Sequence, residues 1–532
     1  MKAVKTNPIS NTVSVVILAL LAAVIYSNTL HNELTYWDDN RYITDNQRVR
    51  DISVPGILRI FDYNDIISNK ADQLQEYLPM TTLAHAVVYR LQGLDPVGYH
   101  LLNISLYILS VALLYFFLCL LIEDRLLSFL STLLFTVHPS HVESVTWVAA
   151  TKDSLSFVFF IASFYLYIKY ACSEWNRASC YILSLAAFLL GMLSKSLVMT
   201  LPVLLILYDI CFNEKKIRIL DKVPYFVISG ALSVLYIHVN RVFAEGSYLT
   251  TDMGLYRRGL TVVMLLAEYL GMAVFPFSSN VYYNYTAGDL PSSIFQASAL
   301  LPALLILALM AVAIVFYFKG RRVVTFTVIW FLITFAPVIN IFPSSTLRAD
   351  RYLFIPTVAF SLLVVWSFYR LYELNPMAKR LLPILFIAVV AILAVTSFRR
   401  NYVWRNGMTL WEDSVKKDPE SPLAHLKLGD EYRHRIMPDR AMAEYASAIR
   451  LNPGYPAACV NLSGLYGTGG RTAEAIDILK KCLEKNPSPI VKLALARAYS
   501  STGERENSEE VLKEILSKDP DNIQARQLLN GL

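Results

Sequence analysis

Residues 99–122 read YHLLNISLYILSVALLYFFLCLLI, a run without a single Asp, Glu, Lys or Arg. As an α-helix rising 1.5 Å per residue, such a run crosses the roughly 30 Å of hydrocarbon in a bilayer. Working outward, comparable apolar runs lie near 12–30, 126–138, 151–171, 179–194, 197–212, 223–243, 298–318, 323–342, 353–371 and 381–398. Over all 532 residues, 55% are hydrophobic and only 17% charged, with mean hydropathy +0.44. That composition excludes a soluble globular enzyme and predicts an all-α, polytopic membrane protein of about eleven spans. The net charge of +6 does not indicate nucleic acid as a partner, because Lys and Arg of membrane proteins collect in cytoplasmic loops for topological reasons.

Sidedness follows from those cations. Lys2 and Lys5 precede the first span, Lys215, Lys216, Arg218 and Lys222 follow the sixth, and Lys319, Arg321, Arg322, Lys379 and Arg380 bound later loops. Placing all of them in the cytoplasm requires the run 259–277 to be re-entrant or interfacial, not spanning. The first span is expected to stay as an anchor, since Leu30 runs into His31-Asn-Glu33 with no small-residue cleavage site. The N-terminus is then cytoplasmic, and the loop 31–98 shares the external face with everything after Arg399.

After Arg399 the composition becomes that of a soluble helical protein, with 401–421 expected as a connecting helix. Pro419, Pro453, Pro487 and Pro520 are separated by 34, 34 and 33 residues. Within that period recur Leu428, Leu462 and Leu495, then Tyr432, Tyr466 and Tyr499, then Ala441, Ala475 and Ser508. Small residues let paired helices approach, an aromatic fills the groove between them, and proline stops the second helix. Residues 422–532 therefore read as three tetratricopeptide repeats with a capping helix at about 521–530, the tyrosines as core, and the concave face as a surface for a protein or peptide partner. Cys459 and Cys482 fall on helices of one repeat. A disulfide is open to them in an oxidising compartment, but two buried thiols are the favoured expectation. The other cysteines show no metal or redox spacing.

Polar residues beside or inside membrane spans are expensive, which makes them candidates for function. Asp38 and Asp39, in Tyr36-Trp-Asp-Asp-Asn-Arg-Tyr-Ile43, lie just beyond the first span. Adjacent carboxylates raise each other's pKa, which suits one to accept a proton while the other positions a hydroxyl or a cation; a turn or helix cap is the plainer reading. His138, His141 and Glu143 open a segment expected to run as one helix from Pro139 through Lys152 and Asp153, with Glu143, Thr146 and Asp153 in one quadrant. Two histidines three apart lack the acidic or thiol partners of a metal site, and no metal ligand set is expected. Lys152, Lys195 and Arg351, with Asp350, are expected on the external side, where the cations suit a lipid phosphate if they converge; singly, each reads as an interfacial anchor. His100 and Asn103 share a helix face and are placed to line the same cleft.

Together these segments resemble the transmembrane and tetratricopeptide-repeat-containing (TMTC) proteins and their bacterial relatives, a branch of the GT-C glycosyltransferases. The carriers are Tyr36-Trp-Asp-Asp39, Leu78-Pro-Met-Thr-Thr82, Gly93-Leu-Asp-Pro-Val-Gly-Tyr-His100, the stretch from His138 to Val148, Ser194-Lys-Ser196 and Ala349-Asp-Arg-Tyr-Leu-Phe-Ile-Pro356, with the phased repeats. The resemblance implies an inverting transferase that passes a sugar, mannose in the eukaryotic members, from a polyprenyl-phosphate donor in the membrane lipid to a protein hydroxyl on the external face. It gives Asp38 and Asp39 the catalytic base and leaves open which one. It implies no required cofactor, with a divalent cation between an aspartate and phosphate left open. Thr151 and Leu78 stand where the family pattern has arginine, which leaves donor phosphate to Lys152, Lys195 and Arg351. The motif details resemble bacterial members, so a bacterial inner membrane with periplasmic repeats is the expected setting. Transfer to lipid or envelope glycan is the second expectation, and a non-catalytic scaffold for envelope or pilus assembly the third.

Overall fold

The computed structural model describes residues 10–68, 76–172, 176–213, 217–243, 253–339, 346–374 and 376–532. Lys2, Lys5, Lys215, Lys216 and the end of the run 323–342 lie outside these residues. Every regular element among the described residues is helical, and the chain divides into two units, Met1–Asn406 and Gly407–Leu532.

Among the described residues of the first unit, seven helical segments are long and apolar enough to cross a membrane: Asn11–His31, Pro96–Ile122, Val148–Cys172, Arg177–Ser194, Leu220–Val239, Ala297–Phe318 and Pro376–Arg405. Arg125–Thr136, Ser196–Phe212 and Arg322–Phe335 are apolar but shorter. The expected run 353–371 is the helix Pro356–Leu374, whose last turns carry an Arg370–Glu373 pair at 3.0 Å. The run 259–277, expected to be re-entrant or interfacial, forms one continuous helix, Leu255–Val274, which is not among those seven. Its start is held by Arg257, which donates to the carbonyl of Leu290 at 3.1 Å.

Local chemistry sets the boundaries. Asp95 accepts from the amide of Val97 at 3.1 Å with Pro96 in the first turn, and Asp124 accepts from Leu126 and Leu127 at 2.9 and 3.0 Å. Both carboxylates satisfy amides that a helix start leaves orphaned. The helices then pack through aromatic rings, Phe164 stacking on Trp330 at 5.7 Å with Phe117, Phe160 and Phe326 around them. Ala297–Phe318 and Pro376–Arg405 bury only 11% of their most apolar window, as lipid-facing helices do.

Lys222, counted from sequence among the loop charges, is fully buried. It donates to Tyr167 Oη at 2.6 Å and Asp209 Oδ2 at 2.5 Å, clamping the C-terminal ends of Thr151–Cys172 and Leu201–Phe212.

The second unit begins with Gly407–Lys417 and continues as the helix pairs Pro422–His434 with Pro438–Leu451, Pro456–Thr468 with Thr472–Lys485, and Pro489–Thr502 with Arg505–Lys518, closed by Ile523–Asn530. Leu428, Leu462 and Leu495, with Ala441, Ala475 and Ser508, are buried, as the period requires. Gly429 permits the closest approach: a Cβ there meets the Tyr445 ring at 2.6 Å. Two expectations need correction. Only Tyr499 is fully core; Tyr432 and Tyr466 are half-buried beneath Arg440 and Arg471. Cys459 and Cys482 form a disulfide, because their helices pack at a Cα separation of 6.5 Å within the range a bridge demands.

Candidate functional site

The segment after the first apolar helix turns tightly at Asp38 and Asp39 and winds through Asn40–Thr44. The two neighbours diverge completely. Asp39 is 1% exposed. Its Oδ2 accepts from the Thr35 amide at 2.7 Å and the Thr35 hydroxyl at 2.9 Å, while Oδ1 accepts from the Ala149 amide at 2.8 Å. Burial pushes its carboxyl up to about 7, against these hydrogen bonds and with a further push from the charge of Asp38. Asp38 keeps 24% of its side chain exposed beside Arg41 at 3.7 Å. A catalytic base must reach the proton it removes, so geometry ranks ahead of pKa. Asp39 has both oxygens committed to the fold, and Asp38 is the carboxylate with access.

The segment His138–Asp153, expected as one helix, is broken at Trp147 into short turns followed by Thr151–Cys172. The break is held from three sides. Asn103 donates to the Trp147 carbonyl at 3.0 Å and accepts from Thr151 at 2.6 Å, Asp39 takes the Ala149 amide, and Thr146 donates to Asn401 at 3.1 Å. Thr151 is thus a buried strut. The bend exposes the Trp147 ring to stacking by Trp37 at 5.4 Å and Trp404 at 5.8 Å, with the Arg351 guanidinium 5.6 Å from its centroid.

Three cations gather here, each with its own carboxylate. Arg351 pairs with Glu143, which also accepts from the Arg351 amide at 3.0 Å. Lys195 pairs with Asp153. Lys152 pairs with Glu76 at 2.8 Å and donates to Tyr42 Oη at 2.8 Å, and Tyr42 donates to the same Glu76 oxygen at 2.8 Å. Burial holds Lys195 below the ordinary ammonium range, and the charges of Lys152 and Arg351 add to that effect against Asp153. The Lys152 charge and hydrogen bond hold the Glu76 carboxyl well below the usual carboxylate range, although its side chain keeps contact with solvent. The charge of Asp38 acts on Tyr42, linking the accessible aspartate to the same group.

His138 and His141 are core residues with their ring nitrogens engaged. His138 meets Ser140 Oγ at 2.7 Å and the Ala273 carbonyl at 3.0 Å; His141 meets Tyr107 Oη at 3.0 Å and Thr357 Oγ1 at 2.7 Å. Asp350 turns to Tyr283 Oη at 2.6 Å, on the side of the Arg348–Glu268 pair. His100 is buried one helical turn before Asn103, and its side chain makes no polar contact with the three cations.

Sequence reasoning missed Glu76, Tyr42 and His85. Tyr42 carried a signal, lying four residues after Asp38; Glu76 carried none. His85 is fully buried beside Lys152, and burial drops its imidazole to about 4. Neither ring nitrogen of His85, nor Asp153 Oδ2, nor Trp147 Nε1 has a hydrogen-bond partner among the described residues. Buried polar atoms without partners are rare in packed interiors. For a divalent ion the donors fit poorly: Glu76, Asp153 and Glu143 are each neutralised by a cation, and no group of three metal-ligating side chains occurs among the described residues.

A family model described as Tetratricopeptide repeat matches residues 468–532. Over 88% of its length the chain is 23% identical to Protein O-mannosyl-transferase Tmtc3 of Drosophila melanogaster, matching 58% of that protein. Over 75% it is 24% identical to Protein O-mannosyl-transferase TMTC3 of Homo sapiens, matching 47% of that protein. Its homologues are TMTC protein O-mannosyl-transferases. A shorter stretch, 29% of this chain, is 32% identical to human TMTC2. The chain spans about half the length of the curated relatives it matches. Among solved structures, an archaeal oligosaccharyltransferase AglB from Archaeoglobus fulgidus aligns at TM-score 0.40 and 10% identity over 74% of this chain and 56% of that one. ArnT from Cupriavidus metallidurans aligns at TM-score 0.37 and 15% identity over 89% and 81%.

Proposed function

We propose that this multi-pass membrane protein is a GT-C-type glycosyltransferase that moves a hexose, mannose by its resemblance to the TMTC proteins, from a polyprenyl-phosphate donor to a hydroxyl of a protein acceptor. The observation that carries this reading is the gathering of Lys152, Lys195 and Arg351, with Lys152 bonded to Tyr42 Oη one turn after the accessible Asp38. Asp38 removes the acceptor hydroxyl's proton as the oxygen attacks the anomeric carbon from the face opposite the phosphate, inverting the configuration. The bond to the donor phosphate breaks, and the cations stabilise the charge that develops on it. Trp147, stacked by Trp37 and Trp404, is an apolar floor that keeps the nearby Arg351 charge poorly hydrated and strong. The step requires no resident metal, because cations already stand where the phosphate charge appears.

The repeat unit recruits or orients the protein acceptor. Its disulfide favours an oxidising compartment, which agrees with an external repeat unit, and with the periplasm if the source is bacterial. Glycoproteomics of cells carrying wild-type protein, Asp38→Asn or Asp39→Asn tests the reading. Loss of a defined set of protein glycans with Asp38→Asn supports it. Retention of every protein glycan overturns it and leaves a lipid or envelope-glycan acceptor, or a membrane-anchored scaffold.

A further inference from the structure

The three cation–carboxylate pairs are not equivalent. Asp153 and Glu143 have side chains 1% and 2% exposed, locked behind their cations. The Glu76 side chain is 45% exposed and comes from the external loop, not from a membrane helix. Its Oε2 collects two donors at 2.8 Å, the Lys152 ammonium and the Tyr42 hydroxyl. Two strong donors converging on one anionic oxygen is also the arrangement that binds a phosphate oxygen.

Resting on the donor-phosphate reading above, we infer that Glu76 is an exchangeable placeholder: its carboxylate occupies the Lys152–Tyr42 donor pair until the donor's phosphate displaces it, and it returns to expel the polyprenyl phosphate left after transfer. Charge bookkeeping supports the exchange. With all three acids in place the cations are neutralised, and an incoming phosphate meets no net attraction. When Glu76 leaves, one full positive charge and two hydrogen-bond donors become available while Asp153 and Glu143 still hold Lys195 and Arg351 in position. The least buried carboxylate is the one that gives way, because water takes over its charge at the smallest loss. Glu76 is thus a positioning residue, acting on substrate through Lys152 and Tyr42.

The test uses full-length protein in nanodiscs and undecaprenyl phosphate as the probe. Glu76→Gln keeps an acceptor for Lys152 but no charge, so binding tightens by roughly tenfold, the worth of one competing charge-assisted contact. With donor, KM and the product-inhibition constant fall together, and kcat falls as product leaves more slowly. A merely structural role for Glu76 moves KM upward. In unaltered protein, hydrogen exchange adds a readout that does not depend on the variant folding: the probe lowers protection at residues 76–78 while raising it around Lys152. Probe binding to wild type with equal or weaker affinity in Glu76→Gln, or with unchanged protection at 76–78, overturns the inference. Failure of wild type itself to bind the probe overturns the donor-phosphate reading instead.

Discussion

Replacing Asp39 with Asn separates the two adjacent carboxylates by their physics. Burial lifts the Asp39 carboxyl from 3.8 to about 7. At 1.36 kcal/mol per pH unit, that displacement corresponds to roughly 4 kcal/mol. The folded protein holds this proton more tightly than the unfolded chain, so the contribution to stability is complete below pH 3.8 and disappears as pH rises through 7. Asn is neutral throughout and removes this dependence. It carries an offset of its own: the carboxamide presents one oxygen where the carboxylate presented two, so either the Thr35 donors or the Ala149 amide face an NH2 group, at about 1–3 kcal/mol. The stability difference between wild type and Asp39→Asn therefore moves in the variant's favour by up to about 4 kcal/mol between pH 4 and pH 8. Unfolding midpoints followed by tryptophan fluorescence in detergent, taken as a difference between the two proteins, isolate this residue from other titrating groups. Parallel profiles across that range refute the burial account of Asp39.

Four further outcomes follow from the same contacts. Glu143→Gln leaves the Arg351 guanidinium in a mostly buried site without its charge partner and lowers unfolding stability by about 3–5 kcal/mol, seen as a drop in Tm and lost transfer together. Lys195→Gln weakens donor binding while releasing Asp153, so the donor KM rises more than kcat falls. In the repeat unit, Gly429→Ala drives a Cβ to 2.6 Å from the Tyr445 ring and destabilises that unit by about 1–3 kcal/mol, read by circular dichroism. Reducing the Cys459–Cys482 bridge, which closes a sequence separation of 23, costs about 3 kcal/mol in the chain-entropy picture and lowers the repeat unit's melting midpoint in dithiothreitol.

What was legible in the sequence follows the range of the interactions involved. The repeats were legible because helix pairing imposes a fixed period on Leu428, Leu462 and Leu495. The period carries less information about Tyr432 and Tyr466, whose burial depends on whether Arg440 or Arg471 or another side chain covers them. Lys152, Lys195 and Arg351 stood out one by one as cations at the ends of apolar runs. The pairing of Lys195 with Asp153 and of Arg351 with Glu143 is set by contacts between distant segments, which no local pattern encodes. Glu76 did not stand out, because a loop carboxylate paired across the fold leaves no periodic trace. Asp38 and Asp39 are identical in type and context, and what separates them is the Ala149 amide, more than a hundred positions away in the chain. The bend at Trp147 contains neither Pro nor Gly; Asn103, Asp39 and Asn401 impose it from outside the segment.

The most direct measurement is transfer by purified protein from a synthetic polyprenyl-phosphate mannose to a Ser/Thr-containing acceptor protein, comparing wild type with a folded Asp38→Asn variant. Loss of a positioned general base predicts a fall in kcat of about 10²–10⁴-fold with the melting midpoint unchanged. Wild-type turnover in Asp38→Asn contradicts the assignment of Asp38 as the base, and an inactive wild type contradicts the transferase itself.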